Sequence, residues 1–175
     1  GVVGKYIDLK DAYKSLHEAL YHASYEANSN LSIKYIDSEE LEQSSPKKLL
    51  EGCDGILVPG GFGDRGFEGK ISAIQYAREN NIPFFGICLG LQMAVLEFAR
   101  NVCSIKDAQT RESKKRSKNY IIDIMESQKK VGSKGGTMRL GQYPCELKKS
   151  SLAHSAYKKA KISERHRHRY EVNPK

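Results

Sequence analysis

Apolar positions along the chain fall into short blocks whose spacing alternates between two kinds. Val2–Tyr6 and Leu31–Ile36 read as short strands, and Asp54–Val58 and Pro83–Ile87 are apolar runs of the kind a fully buried strand shows. Helical stretches lie between them. Within residues 11–28, Tyr13, Leu16, Leu20 and Ala23 recur at spacings of three and four, with Asp11 placed to favour the helix start. Phe67, Ile71, Ile74 and Ala77 do the same within 67–80. Ser44-Ser45-Pro46 opens a short helix with Pro46 in its first turn, and residues 89–100 form a further helix. Strand and helix alternate, which predicts an α/β fold: a three-layer αβα arrangement around a mostly parallel central sheet.

After residue 100 the pattern changes. Residues 111–119 are polar and basic and read as a loop, Tyr120–Met125 as a strand, and 126–136 as a polar stretch with three glycines. Thr137–Leu140 and Tyr143–Leu147 read as two short strands, Ser151–Lys159 as a helix and Arg165–Val172 as a final extended piece. There is no internal repeat, and 175 residues suit one domain, 1–175.

Charge changes the picture only in part. The net charge of +8 divides into −4 over residues 1–100 and +12 over 101–175. Such asymmetry suits a nucleic-acid surface, a solvated face or a dock for a phosphate-bearing ligand. In Arg165–Tyr170, RHRHRY, strand alternation puts Arg165, Arg167 and Arg169 on one face and His166, His168 and Tyr170 on the other. One such face suits a carboxylate or another anion. A nucleic-acid binder would more often show a broad basic stripe with several exposed aromatics, so no nucleic acid is expected. No apolar run approaches the roughly 20 residues of a membrane span, and the N-terminus lacks the layout of a signal peptide. It reads as a strand end inside a larger protein. Cys53, Cys88, Cys103 and Cys145 show neither CxxC nor zinc spacing, so no metal is expected and the location expected is the reducing cytoplasm.

The chemistry concentrates at Gly86-Ile87-Cys88-Leu89-Gly90. A strand turning sharply into a helix through small-x-nucleophile-x-small is a nucleophile elbow, in which residues two away must be small. Cys88 then stands at the carboxyl edge of the sheet and at the start of a helix, whose free N–H groups and dipole favour thiolate. The Leu89 N–H points where an oxyanion would form. A buried cysteine in a tight turn is the plainer reading. A second glycine-rich loop, Pro59-Gly60-Gly61-Phe62-Gly63, also follows a strand and lies 28 residues upstream of Cys88, counted from Gly60. In a parallel sheet both loops open on one edge, so Gly60 or Gly61 can offer a second N–H to the same oxyanion. Together the loops point to acyl transfer.

GICLGLQ after a strand, with PGGFG upstream, resembles the class I glutamine amidotransferases. GKYIDLKDAYKSLHEAL, ILVPGGFGDRGFEGKISAIQYARENNIPFFGICLGLQ, GGTMRLG and ERHRHRYEVN resemble more closely the glutaminase domains of the CTP synthase branch, through nearly the whole chain. The resemblance implies a flavodoxin-like fold in which Cys88 attacks the side-chain amide of glutamine and forms a glutamyl thioester. It implies that Gly60, Gly61 and Leu89 line the oxyanion hole and glutamine pocket, and that Gln92 holds the substrate. Glu112 receives the α-amino group, though as a residue it also reads as a plain loop carboxylate. Arg169 contacts glutamine, and Phe62 and Arg65 belong to a lid loop coupled to GTP activation. It further implies an N-terminal synthase domain, absent here, where ammonia serves the ATP- and magnesium-dependent conversion of UTP to CTP, in a homotetramer. No cofactor is expected in this domain itself, and no GxxxxGK[ST] phosphate loop is present.

One departure stands beside the match. The family pattern uses a histidine base and an orienting glutamate in a His-Pro-Glu motif on a later strand. Neither His17, His22, His154, His166 nor His168 is followed by Pro-Glu. In the family that strand follows the RHRHRY run, which puts the base in a segment after Lys175. A catalytically silent docking relative and a cysteine hydrolase or peptidase of the same fold are the alternatives.

Overall fold

In the computed structural model of the chain, which describes residues 1–7, 10–113, 115–129 and 138–174, two compact units are distinguished. The first comprises Gly1–Ile122 with Val172–Lys175, and the second Asp123–Glu171.

The first unit is built on a four-stranded parallel sheet. Its strands are β1 (Val2–Gly4), β2 (Tyr35–Asp37), β3 (Ile56–Val58) and β4 (Phe84–Gly86), in the order β2-β1-β3-β4. β1 and β3 are central and every residue in them is buried, as their unbroken apolar text requires. The connecting helices are α1 (Lys14–Glu26), α2 (Glu40–Gln43), α3 (Pro46–Leu50), α4 (Phe67–Glu79) and α5 (Leu89–Asn101). The apolar stripe expected on α4 is realised: Phe67, Ile71, Ile74 and Ala77 are all buried and pack with Leu89, Met93 and Leu96 of α5. α1 departs from its expectation. Its periodicity makes a helix, preceded by a 3-10 turn over Lys10–Tyr13, but no residue of α1 is fully buried; only Tyr13, just before it, enters the interior.

A buried carboxylate ties α4 to α5. Glu97 is 1% exposed and accepts from Arg78 Nε at 3.1 Å, Arg78 Nη2 at 2.8 Å and Asn101 Nδ2 at 3.0 Å. From the end of α5, Arg100 Nε donates to Ala108 O at 2.8 Å and Arg100 Nη1 meets Glu68 Oε2 at 2.8 Å. These bonds fix the approach to β5 (Gln109–Thr110), which pairs in parallel with β6 (Tyr120–Ile124). Glu112 lies two residues beyond β5, with its N–H on Thr110 Oγ1 at 3.2 Å.

In the second unit, β7 (Arg139–Glu146) and β8 (Lys161–His168) form an antiparallel pair in continuous register from Arg139↔His168 to Glu146↔Lys161. The two short strands expected around 137–147 are therefore one strand; Gly141 absorbs the interruption at φ +97°. Thr137 lies outside the described residues. The connection carries α6 (Leu152–Tyr157), capped by Ser151 Oγ accepting from His154 N at 3.1 Å. β9 (Tyr170–Val172) closes the chain's secondary structure. The alternation expected for RHRHRY holds through His168 and then breaks. Residue 169 is a bend between β8 and β9, so half-buried Arg169 leaves the row of exposed Arg165 and Arg167. Among the described residues no helix is long and apolar enough to cross a membrane.

Candidate active site

The carboxyl ends of β1, β3 and β4 bring the expected loops together. β4 ends at Gly86 and α5 begins at Leu89, leaving Cys88 at φ 55° and ψ −106°. A non-glycine residue there is strained, and such strain belongs to a nucleophile elbow. The bonds that hold it are local. Ile87 N donates to Val58 O at 3.0 Å, Gly90 N to Ile87 O at 2.9 Å and Gln92 N to Cys88 O at 3.2 Å. The demand for small neighbours is steric and severe: a Cβ on Gly90 would lie 2.0 Å from Val58 O, and one on Gly86 2.6 Å from the Gly90 carbonyl carbon.

The β3 loop lies against the thiol. A Cβ on Gly60 would sit 3.3 Å from Cys88 Cβ and 3.7 Å from its Sγ, so any side chain there would grow into the space of the reacting atom. The backbone N–H groups of Leu89 and Gly61 act on the Cys88 thiol and favour its charged form. Leu89 and Gln92 are buried, at 1% and 8% exposure.

Glu112 joins the same place. Its Oε1 accepts from Gly63 N at 2.6 Å, and its charge acts on Cys88. Phe62 is half-exposed, while Arg65 Nη1 meets Glu39 Oε2 at 2.6 Å and Arg65 Nη2 donates to Lys5 O at 2.9 Å. Arg169 belongs to the second unit, and its assignment to glutamine rests on the resemblance. Two residues without an expected role stand beside the loop. Lys5 Nζ donates to the carbonyls of Phe62 and Gly63, and Lys70 Nζ to those of Arg65 and Gly66. Lys70 had a signal in the sequence: it falls inside the buried stripe of α4, three residues after Phe67 and four before Ile74. Lys5, alone after a strand, had none.

The electrostatics of Cys88 correct one expectation. Burial pushes the thiol up, and the Glu112 carboxylate pushes the same way; the Leu89 and Gly61 N–H groups pull it down and do not prevail. Alkylation follows thiolate, so iodoacetamide at pH 7 is expected to modify Cys88 more slowly than the exposed Cys103 and Cys145. The Cys88 rate should rise with pH through a midpoint above the ordinary cysteine value of about 8.5. Cys88 as the fastest of the three at pH 7 would mean a preformed thiolate.

A cleft of about 650 Å³ opens at the opposite, amino edge of the sheet, lined by Leu31, Ile33, Cys53, Pro83 and Phe84 among others. The paired donors and the strained cysteine are at the carboxyl edge, where open α/β sheets place their ligands.

Residues 8–175 match the family model for glutamine amidotransferase class-I. The chain is 57% identical over 178 residues to the CTP synthase of Bdellovibrio bacteriovorus, covering 100% of this chain and 33% of that protein. It is 59% identical over 174 residues to the CTP synthase of Cytophaga hutchinsonii, covering 99% and 32% respectively. It thus spans about a third of the length of these relatives. Among solved structures it is similar to the glutaminase domain of Trypanosoma brucei CTPS with bound acivicin. That likeness has a TM-score of 0.88 and 45% identity, and covers 98% of this chain and 67% of that one.

Proposed function

The chain belongs to the class I glutamine amidotransferases, and from that premise we propose that it is the glutaminase domain of a CTP synthase, releasing ammonia from glutamine at Cys88 for the ATP-dependent conversion of UTP to CTP. The observation that carries this reading is a cysteine held at positive φ between Gly86 and Gly90, with Gly60 of the β3 loop packed against its side chain.

Cys88 Sγ adds to the side-chain carbonyl carbon of glutamine, and its proton passes to the base, a histidine of the kind the resemblance implies. The carbonyl oxygen becomes an oxyanion, and the N–H groups of Gly61 and Leu89 receive it. The base returns the proton to the amide nitrogen. The C–N bond breaks, ammonia leaves, and the glutamyl thioester remains. Water adds to the thioester carbon, and the C–S bond breaks to give glutamate and the restored thiol. The raised thiol in the resting site fits an enzyme whose cysteine is activated only when substrate and base are both in place. Acivicin, a glutamine analogue, occupies the similar T. brucei domain, which supports glutamine as the occupant here. Glu112, already an acceptor of one N–H, faces the α-ammonium group, and Gln92 lines the pocket. Phe62 and Arg65 respond to GTP. ATP, UTP and magnesium act in the synthase domain of a cytoplasmic homotetramer that takes no nucleic acid.

The test uses the full-length protein with UTP, ATP, magnesium and GTP, supplied with glutamine or with ammonium chloride. CTP is expected from both nitrogen sources, with one glutamate per CTP from glutamine. CTP from ammonium alone would mark a silent amidotransferase, and CTP from neither would end the reading.

A further inference from the structure

We propose that Lys5 and Lys70 are positioning residues: two buried ammonium groups that grip carbonyls of the 60–66 loop and thereby hold the loop and aim its Gly63 N–H at Glu112. The inference rests on the glutaminase reading only for its catalytic consequence, not for the grip itself.

Both side chains are almost fully buried, Lys5 at 6% and Lys70 at 2% exposure. An ammonium group taken out of water needs strong compensating acceptors. Here those acceptors are mainly the loop's own backbone. Lys5 Nζ donates to Phe62 O, and to Gly63 O at 3.1 Å. Lys70 Nζ donates to Gly66 O at 3.2 Å, to Arg65 O at 3.4 Å and to Ser38 Oγ at 2.9 Å. Four of the five carbonyls from Phe62 to Gly66 are held this way.

Peptide geometry converts that grip into aim. A trans peptide is planar, with its C=O and N–H pointing in opposite directions. The peptide between Phe62 and Gly63 sends its carbonyl to Lys5 and its N–H to Glu112 Oε1 at 2.6 Å. Turning that peptide over would break both contacts at once. Lys5 therefore fixes the donor that holds Glu112 in the site.

The anchors are rigid. Lys5 directly follows β1. Ser38 directly follows β2, is fully buried, and donates its N–H to Gly4 O at 2.9 Å. The far end of the loop is closed tightly on Ser38: at Gly66, φ +69°, a Cβ would lie 2.1 Å from Ser38 Oγ and 3.2 Å from Lys70 Nζ. The carboxyl ends of β1 and β2 thus grip the loop that follows β3.

One property separates this role from a merely structural one. Burial, reinforced by the Lys5 charge, pushes Lys70 down to about 8; Glu42 and Asp37 act to raise it, and Arg65 to lower it further. Between that value and its ordinary value of 10.5 the unfolded chain binds the extra proton, so Lys70's contribution to stability rises with pH. Its grip on the loop weakens over the same range, because a neutral amine is the poorer donor. Global stability and loop order move in opposite directions.

The experiment is amide hydrogen exchange on the full-length protein and its Lys5→Met, Lys70→Met and Lys70→Arg variants, with glutamine kinetics alongside. Both methionine variants are expected to speed exchange of the amides in 61–66 at least tenfold, with β1 and β3 amides unchanged, and to lower glutamine kcat/KM at least tenfold. Lys70→Arg, which keeps the charge at high pH, should remove the wild type's excess loop exchange at pH 9 over pH 7 after correction for intrinsic rates. Unchanged loop exchange in both methionine variants would overturn the proposal. If a methionine variant does not fold, the wild-type and Lys70→Arg comparison decides: no excess loop exchange at pH 9 in the wild type, or an excess that Lys70→Arg leaves in place, overturns it. Loss of glutamine turnover in the wild type would instead remove the glutaminase reading and leave the exchange result to judge the grip.

Discussion

Cys88→Ala is expected to abolish glutamine-dependent CTP formation by the full-length protein, by about 10⁴-fold or more, and to leave ammonium-dependent formation at its wild-type rate. The magnitude follows from removing the nucleophile of a covalent mechanism: the donors and the substrate pocket remain, but no thioester can form. Selectivity between the nitrogen sources follows from where the change sits. Alanine at 88 introduces no new atoms against the Gly60 backbone, and the positive φ already borne by Cys88 is no worse for alanine. A parallel loss of both activities would place the effect in folding instead. Equal glutamine turnover in the variant would remove Cys88 from the chemistry.

Glu112→Gln is the second change with a large expected effect, and it acts in two opposite directions. The carboxylate accepts a charge-assisted bond from Gly63 N at 2.6 Å and, in the proposed reading, the substrate's α-ammonium. A hydrogen bond to a charged group is worth about 1.5–3 kcal/mol, so glutamine kcat/KM should fall about 10- to 100-fold. The same charge raises the Cys88 thiol. Neutralising it should lower that thiol's pKa, so that neutral iodoacetamide modifies Cys88 faster in the variant than in the wild type at pH 7. Slower glutamine turnover with faster alkylation separates a substrate-binding carboxylate from one that only supports the loop. Slowing of both would point to a distorted elbow.

The parts of this site that could be read in the sequence are those specified locally. Gly86 and Gly90 flank Cys88 because backbone from Val58 and from the first turn of α5 occupies the space a Cβ would need, and that demand leaves a glycine pattern in a five-residue string. The 60–63 loop was legible for a related reason, since only glycine keeps clear of the thiol at 60. The buried stripe of α4 was legible because α4 packs against both the sheet and α5. α1 shows the same periodicity with none of the burial. Periodicity fixes a helix and its preferred face, and not how deeply that face is covered. α2 and β5, of four and two residues, are too short for a period to register. Gly141 looked like a strand break because its tolerance of φ +97° within a paired strand depends on the partner, β8.

The electrostatic features were the least legible. A helix start favours a thiolate at Cys88, but burial outweighs it, and burial is set by the surrounding fold and so left no mark in the sequence. Lys5 looks like an ordinary surface lysine until the carbonyl of Phe62, 57 residues away in sequence, is seen to meet it, and Lys70 shows its burial only by its place in the α4 stripe.

The most direct test of Cys88 as a glutamine-attacking nucleophile is peptide mapping after reaction with 6-diazo-5-oxo-norleucine, a glutamine-shaped electrophile, with and without excess glutamine. The expected result is one adduct, on Cys88, formed faster than the iodoacetamide rate at the same pH and suppressed by glutamine. Adducts on Cys53, Cys103 or Cys145 with Cys88 unmodified, or a Cys88 adduct that glutamine does not slow, would contradict it.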